Sequence, residues 1–349
     1  MTLDDLDTPF LIADLDIVER NIRRSQQHLD GLGLASRPHI KTHKLPFIAW
    51  KQVEAGAVGV TCQKLGEAEV MVDAGIHEVF ISYNIVGRPK LERLAGLCAQ
   101  ARIFAAADSE HVIQGYAAMA REFGVSLGVF LEADTGGKRA GIQEPAAARP
   151  LARQILESPG LTFEGVFTYP TGPATQSFFE GVVEALQPDG IVCPRFSGGG
   201  SLCFWELDRT PICTEHRAGT NVYCDRNLVT QAGYRWEDCA LEVLTTVVSR
   251  PTAGRAVLDL GTKAMTSDPN PQGGFHHIRS HPEAVFEKLS EEHGHLDVSR
   301  CASPPALEDR LRVVPNHACG ATNLHDLVAL HRGGRVERIL PISARGKIR

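Results

Sequence analysis

From about residue 14 to about residue 225 the chain alternates two hydrophobic rhythms. Short apolar runs occur at Pro38 to Thr42, Val58 to Thr61, Val79 to Tyr83, Ile103 to Ala107, Leu127 to Ala133, Phe163 to Tyr169, Ile191 to Phe196 and Glu215 to Val222. Between most of them lie stretches in which apolar residues recur at three and four, such as Lys90 to Ala101, His111 to Phe123 and Ala146 to Glu157. Eight runs of strand character separated by helical patterns predict an α/β chain with a parallel sheet, closed as a (β/α)8 TIM-type barrel over residues 14–225. An open doubly wound sheet would need a glycine-rich phosphate turn after its first strand. Lys41, Thr42, His43 and Lys44 stand there instead, which favours the barrel.

After Asp225 the rhythm changes. Ala240 to Arg250, Ala256 to Leu260 and Leu311 to Pro315 have strand character without long helices between them, so a second, mostly β domain is predicted over residues 226–349. Its last hairpin joins Leu327 to His331 with Val336 to Ile339 through Arg332, Gly333, Gly334 and Arg335, where glycine supplies the positive φ of a tight turn.

Charge and composition narrow the partners. A net charge of -6 and no run of five or six basic residues give no field for a phosphodiester backbone, so nucleic acid is not expected. Met1 to Asp7 is acidic and polar, unlike a secretory leader, and no segment approaches the roughly 18 apolar residues of a membrane span. The expectation is a cytoplasmic protein with no membrane partner. Nine cysteines are scattered with no CxxC pair, which predicts reduced thiols rather than a disulfide framework.

Four segments carry chemistry. Arg37-Pro38-His39-Ile40-Lys41-Thr42-His43-Lys44 ends the first predicted strand, at the end of a barrel where active sites form. A lysine there, between apolar walls, can lose its proton and attack a carbonyl, and alternation puts His39 and Lys41 on one strand face. A basic strand end in solvent accounts for the same octet equally well. Ser197-Gly198-Gly199-Gly200-Ser201 follows the seventh predicted strand, where barrels commonly bind phosphate, and consecutive glycines let backbone N–H groups converge on an anion. Most triple glycines are merely flexible turns; the position after strand seven, with Ala218-Gly219-Thr220 at the end of strand eight, tilts this one toward phosphate. Asp134-Thr135-Gly136-Gly137-Lys138-Arg139-Ala140-Gly141 points Arg139 at the same rim, toward a cofactor ring or a substrate.

In Pro315-Asn316-His317-Ala318-Cys319, a strand conformation would send His317 and Cys319 out of one face, and imidazole with thiolate suits zinc. Taken alone, such a pair is more often a core cysteine beside an ordinary histidine. Glu291-Glu292-His293-Gly294-His295 is a further cluster, equally readable as a solvated turn or as a source of a third ligand or an acid/base group.

Together these strings resemble one family. The chain is similar to the D-threonine aldolase and D-serine dehydratase group of fold-type III pyridoxal-phosphate (PLP) enzymes, relatives of the alanine racemases. The likeness runs from Asp7-Thr8-Pro9-Phe10-Leu11 through RPHIKTHK, Cys62 to Val70, DTGGKRAGI, SGGGS, EHRAGT, Asp259 to Ala264 and SEEHGHLDVS to PNHAC. It implies a barrel carrying PLP, a β domain joined by residues 1–13, and a head-to-tail homodimer with the active site near the interface. Lys41 matches the Schiff-base lysine. Gly198, Gly199, Gly200 and Thr220, beside Ser197, match phosphate positions; Gln63, Arg139 and Tyr169 match residues lining the ring; His317 and Cys319 match a divalent-metal pair. Lys41, His39 and His293 form the expected catalytic set.

Two positions depart from the family. Asn221 stands where tyrosine is usual, and Cys319 stands where D-threonine aldolases resemble one another in an aspartate that suits manganese, a cysteine being similar to the zinc-binding D-serine dehydratases. Thr168-Tyr169-Pro170-Thr171 and SEEHGHLDVS look more like the aldolase branch. The resemblance therefore implies a lyase that splits D-β-hydroxy-α-amino acids into glycine and an aldehyde. D-serine dehydration is the alternative within the enzymes, and a PLP carrier without turnover is the alternative outside them.

Overall fold

The computed structural model describes all 349 residues, which fold as two compact units. Ser25–Lys41, Pro46–Gly219 and Lys347–Arg349 form the first, and Met1–Arg24, Thr42–Leu45 and Thr220–Gly346 the second.

The first unit is the predicted barrel. Its strands are Ala35–Ser36, Val60–Cys62, Glu78–Asn84, Arg102–Ala107, Leu127–Ala133, Leu161–Thr168, Phe196–Gly199 and Glu215–Arg217. From the second strand to the eighth each pairs in parallel with the next, and the eighth pairs with the first. The remaining seam, between first and second, is closed by a parallel bridge of His39 with Thr61, a Thr61 N–H to Pro38 C=O bond of 2.8 Å and a Val58 N–H to Ser36 C=O bond of 2.9 Å. Helices on the outside, for example Arg88–Cys98, Glu110–Phe123 and Ala148–Glu157, agree with the predicted patterns to within a few residues.

Three strands differ from their prediction, in each case at an end of the apolar run. The first strand is Ala35–Ser36, its backbone bonds run on as far as His39, and the chain then turns at Ile40–Thr42 as a 3-10 turn; alternation along a strand therefore does not relate His39 to Lys41. Pro194 excludes Ile191 to Cys193 from the seventh strand, which starts at Phe196 and includes Ser197, Gly198 and Gly199 rather than preceding them. The eighth ends at Arg217, and Thr220–Val222 is another 3-10 turn.

The barrel is filled by Phe80, Phe104, Ala106, Phe130 and Phe167, all fully buried. The Phe80 and Phe130 rings lie 4.8 Å apart, and Phe167 meets Phe80 edge-on at 5.0 Å. At the N-terminal end of the strands Arg37, 1% exposed, is held by Glu215 at 2.8 Å and Glu78 at 2.7 Å. Such a pair is costly to break from one side, because the partner charge is left buried.

In the second unit Phe10–Asp14 lies between Leu241–Thr252, antiparallel, and Leu327–Arg332, parallel, in a nine-stranded sheet. The extreme N-terminus thus belongs to the β domain, and Thr8 Oγ1 donates to Asp259 Oδ2 at 2.5 Å. The last hairpin pairs Leu327–Arg332 with Arg335–Pro341 around Gly333 and Gly334, at φ 53° and 84°. The strand Arg310–Val314 stops before Pro315, so His317 caps the helix Ala318–Leu324 and Cys319 lies in its first turn, not on a strand. No helix is long and apolar enough to cross a membrane.

Replacing Phe130 with alanine should cost about 3–5 kcal/mol of stability in a denaturant titration; a loss under about 1 kcal/mol would contradict this account of the barrel core.

Candidate active site

The C-terminal ends of the barrel strands gather the predicted cofactor residues. Lys41 is half-buried on its turn, with Nζ 5.3 Å from the centre of the Tyr169 ring. The Arg139 guanidinium lies 4.9 Å from the same ring and is paired with Glu132 at 3.0 Å. His39 Nε2 faces Gln63 Oε1 at 3.1 Å, while the Gln63 amide nitrogen donates to Ser82 C=O at 3.2 Å. That amide orientation makes His39 Nε2 the donor, and leaves Nδ1 to face the Lys41 backbone N–H at 3.4 Å. His39 is therefore held as a neutral ring that links Gln63 to the Lys41 turn.

The glycine segment divides its labour. The Ser197 hydroxyl is spent inside the barrel, between Glu215 Oε1 and Arg217 Nε, each at 2.8 Å. A Cβ on Gly198 would stand 2.7 Å from Thr171 Oγ1, and one on Gly199 would stand 3.0 Å from Arg217 Nη2, so these two are glycines for packing. Gly200 is different. At φ +120° its missing side chain would meet nothing closer than 3.6 Å, and it opens toward Tyr169. His216 Nε2 fixes the Gly200 carbonyl at 2.9 Å, and burial pushes the His216 ring down to about 4, so it stays neutral in this role.

Beside this group is a cavity of about 530 Å³, within the usual range for small-molecule pockets, lined among others by Gln63, Ser82, Asn84, Asp108, Glu132 and Arg139. Asn84 Oδ1 is buried there with no partner in the chain. An open glycine cradle, a lysine and an arginine over one aromatic ring, and an unpaired buried acceptor fit an aromatic, phosphorylated aldehyde such as PLP.

In the β unit, His317 and Cys319 are in contact, and the Cys319 sulfur is the main reason the His317 ring is raised to about 9, burial opposing. His317 Nδ1 lies 2.7 Å from Asp268 Oδ2. Cys319 Sγ has the Thr42 hydroxyl at 3.2 Å and the Thr220 hydroxyl at 3.8 Å. No group of three or more His, Cys, Asp or Glu side chains able to hold a metal forms within the chain. The donor set still fits a divalent ion of zinc type: one imidazole, one thiol, and coordination positions left for water or substrate. His293 and His295 do not join it; His293 is exposed, and His295 Nε2 faces Ser290 Oγ at 2.9 Å.

Reading the sequence missed four contributors. Arg217, 4% exposed, donates from Nη2 to Thr168 C=O at 2.6 Å, and burial lowers it only to about 10, so it remains charged. It lay in plain view in EHRAGT, two residues before the glycine that drew attention. Glu132 could have been suspected as a charge in an otherwise apolar strand. Asp268 and Asp225 carried no local signal, since their partners are 49 and 93 residues away.

A barrel of this kind carrying a lysine at its mouth, followed by a β domain, defines the alanine racemase-like class of PLP proteins. Residues 13–227 match the alanine racemase N-terminal domain, and residues 240–331 match the serine dehydratase domain. The chain is 33% identical to a D-threonine aldolase of Arthrobacter sp. over 98% of its own length and 93% of that protein's. The structure of a D-threonine aldolase from Filomicrobium marinum superposes with a TM-score of 0.91 at 32% identity, covering 100% of this chain and 98% of that one. A D-threo-3-hydroxyaspartate dehydratase from Delftia sp. HT23 gives 0.86 at 30% identity, covering 97% and 98%, and a D-threo-3-hydroxyaspartate dehydratase with one cysteine changed to alanine, in the metal-free form, gives 0.87 at 30%, covering 98% and 99%. The chain belongs to the D-threonine aldolase and D-serine dehydratase-like family of PLP-dependent lyases.

The Lys41→Ala protein should fail to develop the near-visible absorbance that the wild type gains on adding PLP; persistence of the band would place the cofactor on another lysine.

Proposed function

We propose that this protein is a PLP- and divalent-metal-dependent lyase that cleaves D-β-hydroxy-α-amino acids of the D-threonine type to glycine and an aldehyde. What carries this reading is the full-length likeness to D-threonine aldolases, together with a metal pair, His317 and Cys319, of only two protein donors. Breaking Cα–Cβ requires the β-hydroxyl to give up its proton, and a metal with open positions acidifies such a hydroxyl. PLP supplies the electron sink.

The chain's own residues have separable tasks. Lys41 would hold the cofactor, and Tyr169, Gln63 and Arg139 would bound its ring. Gly200 offers room for the phosphate, whereas the Ser197 side chain serves Arg217; Thr220 is a phosphate residue by family likeness. The β-hydroxyl proton would pass to a base, the O–H pair would become the C=O of the aldehyde as Cα–Cβ breaks, and Cα would take up a proton to give glycine. His39, with both ring nitrogens engaged, orients the Lys41 turn. His293, exposed on its own turn, is the acid/base group assigned to the assembled site, which we place near the interface of a head-to-tail homodimer. Zinc is the metal we assign, because a thiolate ligand selects it over manganese.

One observation favours a second reading. Cys319 is a thiol, and a D-threo-3-hydroxyaspartate dehydratase solved in the metal-free form is a variant that has lost a cysteine. In D-serine dehydration the Cα proton leaves, the β-hydroxyl departs as water, and hydrolysis gives pyruvate and ammonia. Incubation with D-threonine, PLP and zinc should release acetaldehyde and glycine. Pyruvate from D-serine, with no glycine from D-threonine, would replace the aldolase by the dehydratase.

A further inference from the structure

We infer that Asp268 is a positioning residue for the metal: its carboxylate takes the Nδ1–H of His317, fixing the tautomer that leaves the Nε2 lone pair for the ion. The inference rests on the metal reading of His317 and Cys319 given above, and it goes beyond it by assigning the second side of the imidazole.

Three observations show a built contact rather than a chance surface pair. Asp268 Oδ2 lies 2.7 Å from His317 Nδ1 although 49 residues separate them in sequence. The backbone of Asp268 is clamped on both sides, its N–H donating to Thr266 Oγ1 at 3.1 Å and its carbonyl accepting from Asn316 Nδ2 at 3.0 Å. Asn316 is itself completely buried, with its Oδ1 accepting from Arg226 at 3.0 Å and its N–H donating to His276 Nδ1 at 3.1 Å. The same Asn316 immediately precedes His317, so one residue ties the two segments of the pair together. Gly320 completes the fit. A Cβ there would stand 2.5 Å from Thr266 Oγ1 and 3.0 Å from Asp268 Oδ2, so only a glycine lets this turn of the helix approach the segment that carries the carboxylate.

A histidine ligand whose other nitrogen donates to a carboxylate is held in one tautomer and one ring orientation, and is a stronger base toward the ion. The need is acute with two protein ligands, because no third side chain compensates for a misaligned imidazole. Asp268 is not assigned to the metal itself: the oxygen nearest the ring is occupied by Nδ1, on the side of the imidazole away from Nε2.

The test is competitive titration of zinc against a chelator, using the PLP-loaded full-length protein. Asp268→Asn, close in shape, should weaken zinc binding about 10–100-fold, with the PLP absorbance unchanged. Thr266→Val, which removes one clamp on Asp268, should shift affinity in the same direction by a smaller factor and covers the case in which Asp268→Asn does not fold. Wild-type zinc affinity in both variants would overturn the inference while leaving the metal reading intact. No zinc uptake by the wild type would overturn the metal reading itself. A loss beyond about 10⁴-fold would identify Asp268 as a direct ligand and overturn the positioning role.

Discussion

The site depends on how the first barrel strand is held. It is too short to hold itself, with a proline three residues before Lys41, and its position comes from neighbours on both sides. Ala35, Arg37 and His39 donate backbone N–H bonds of 2.9–3.0 Å to Thr214, His216 and Ala218, and Ser36 and Pro38 accept from Val58 and Thr61. This double row of bonds closes the barrel and fixes where the chain turns at Ile40–Thr42. Lys41 is thereby delivered by backbone geometry, not by its own side-chain contacts.

The two ends of the barrel use charge in opposite ways. At the N-terminal end Arg37 is matched by Glu78 and Glu215, with Arg102, Arg195 and Glu164 extending the network, and the outcome is a closed and mutually neutralised layer. At the C-terminal end Glu132 is the buried carboxylate between two arginines, paired directly with Arg139 and within electrostatic reach of Arg217. Burial raises the Glu132 carboxyl while the arginines pull it back. The positive excess there suits a phosphorylated, anionic cofactor, which the N-terminal end does not.

Much of this was legible in the sequence, for identifiable reasons. Strands whose apolar run contains no proline, such as Leu127–Ala133, declared both their place and their length, and the glycine pair at 333 and 334 declared its turn. The short strands were harder, because two of the runs extend into the 3-10 turns Ile40–Thr42 and Thr220–Val222, and a third begins before Pro194 although its ladder starts only at Phe196. Lys41, Arg139 and Tyr169 were recognisable as a set only through family likeness; periodicity placed them at strand ends but did not bring them onto one ring. His317 and Cys319 were found for a reason that does not hold, since their proximity comes from a helix start and not from strand alternation. Asp268 and Arg217 stayed hidden because their roles exist only through contacts that the fold creates.

The central claim is that Lys41 is the covalent anchor of the cofactor, and peptide mapping after borohydride reduction of the PLP-loaded protein addresses it most directly. The account predicts the mass of a reduced pyridoxyl phosphate on the peptide that contains Lys41. Label on Lys44 or Lys64 instead, or on no lysine at all, would contradict it.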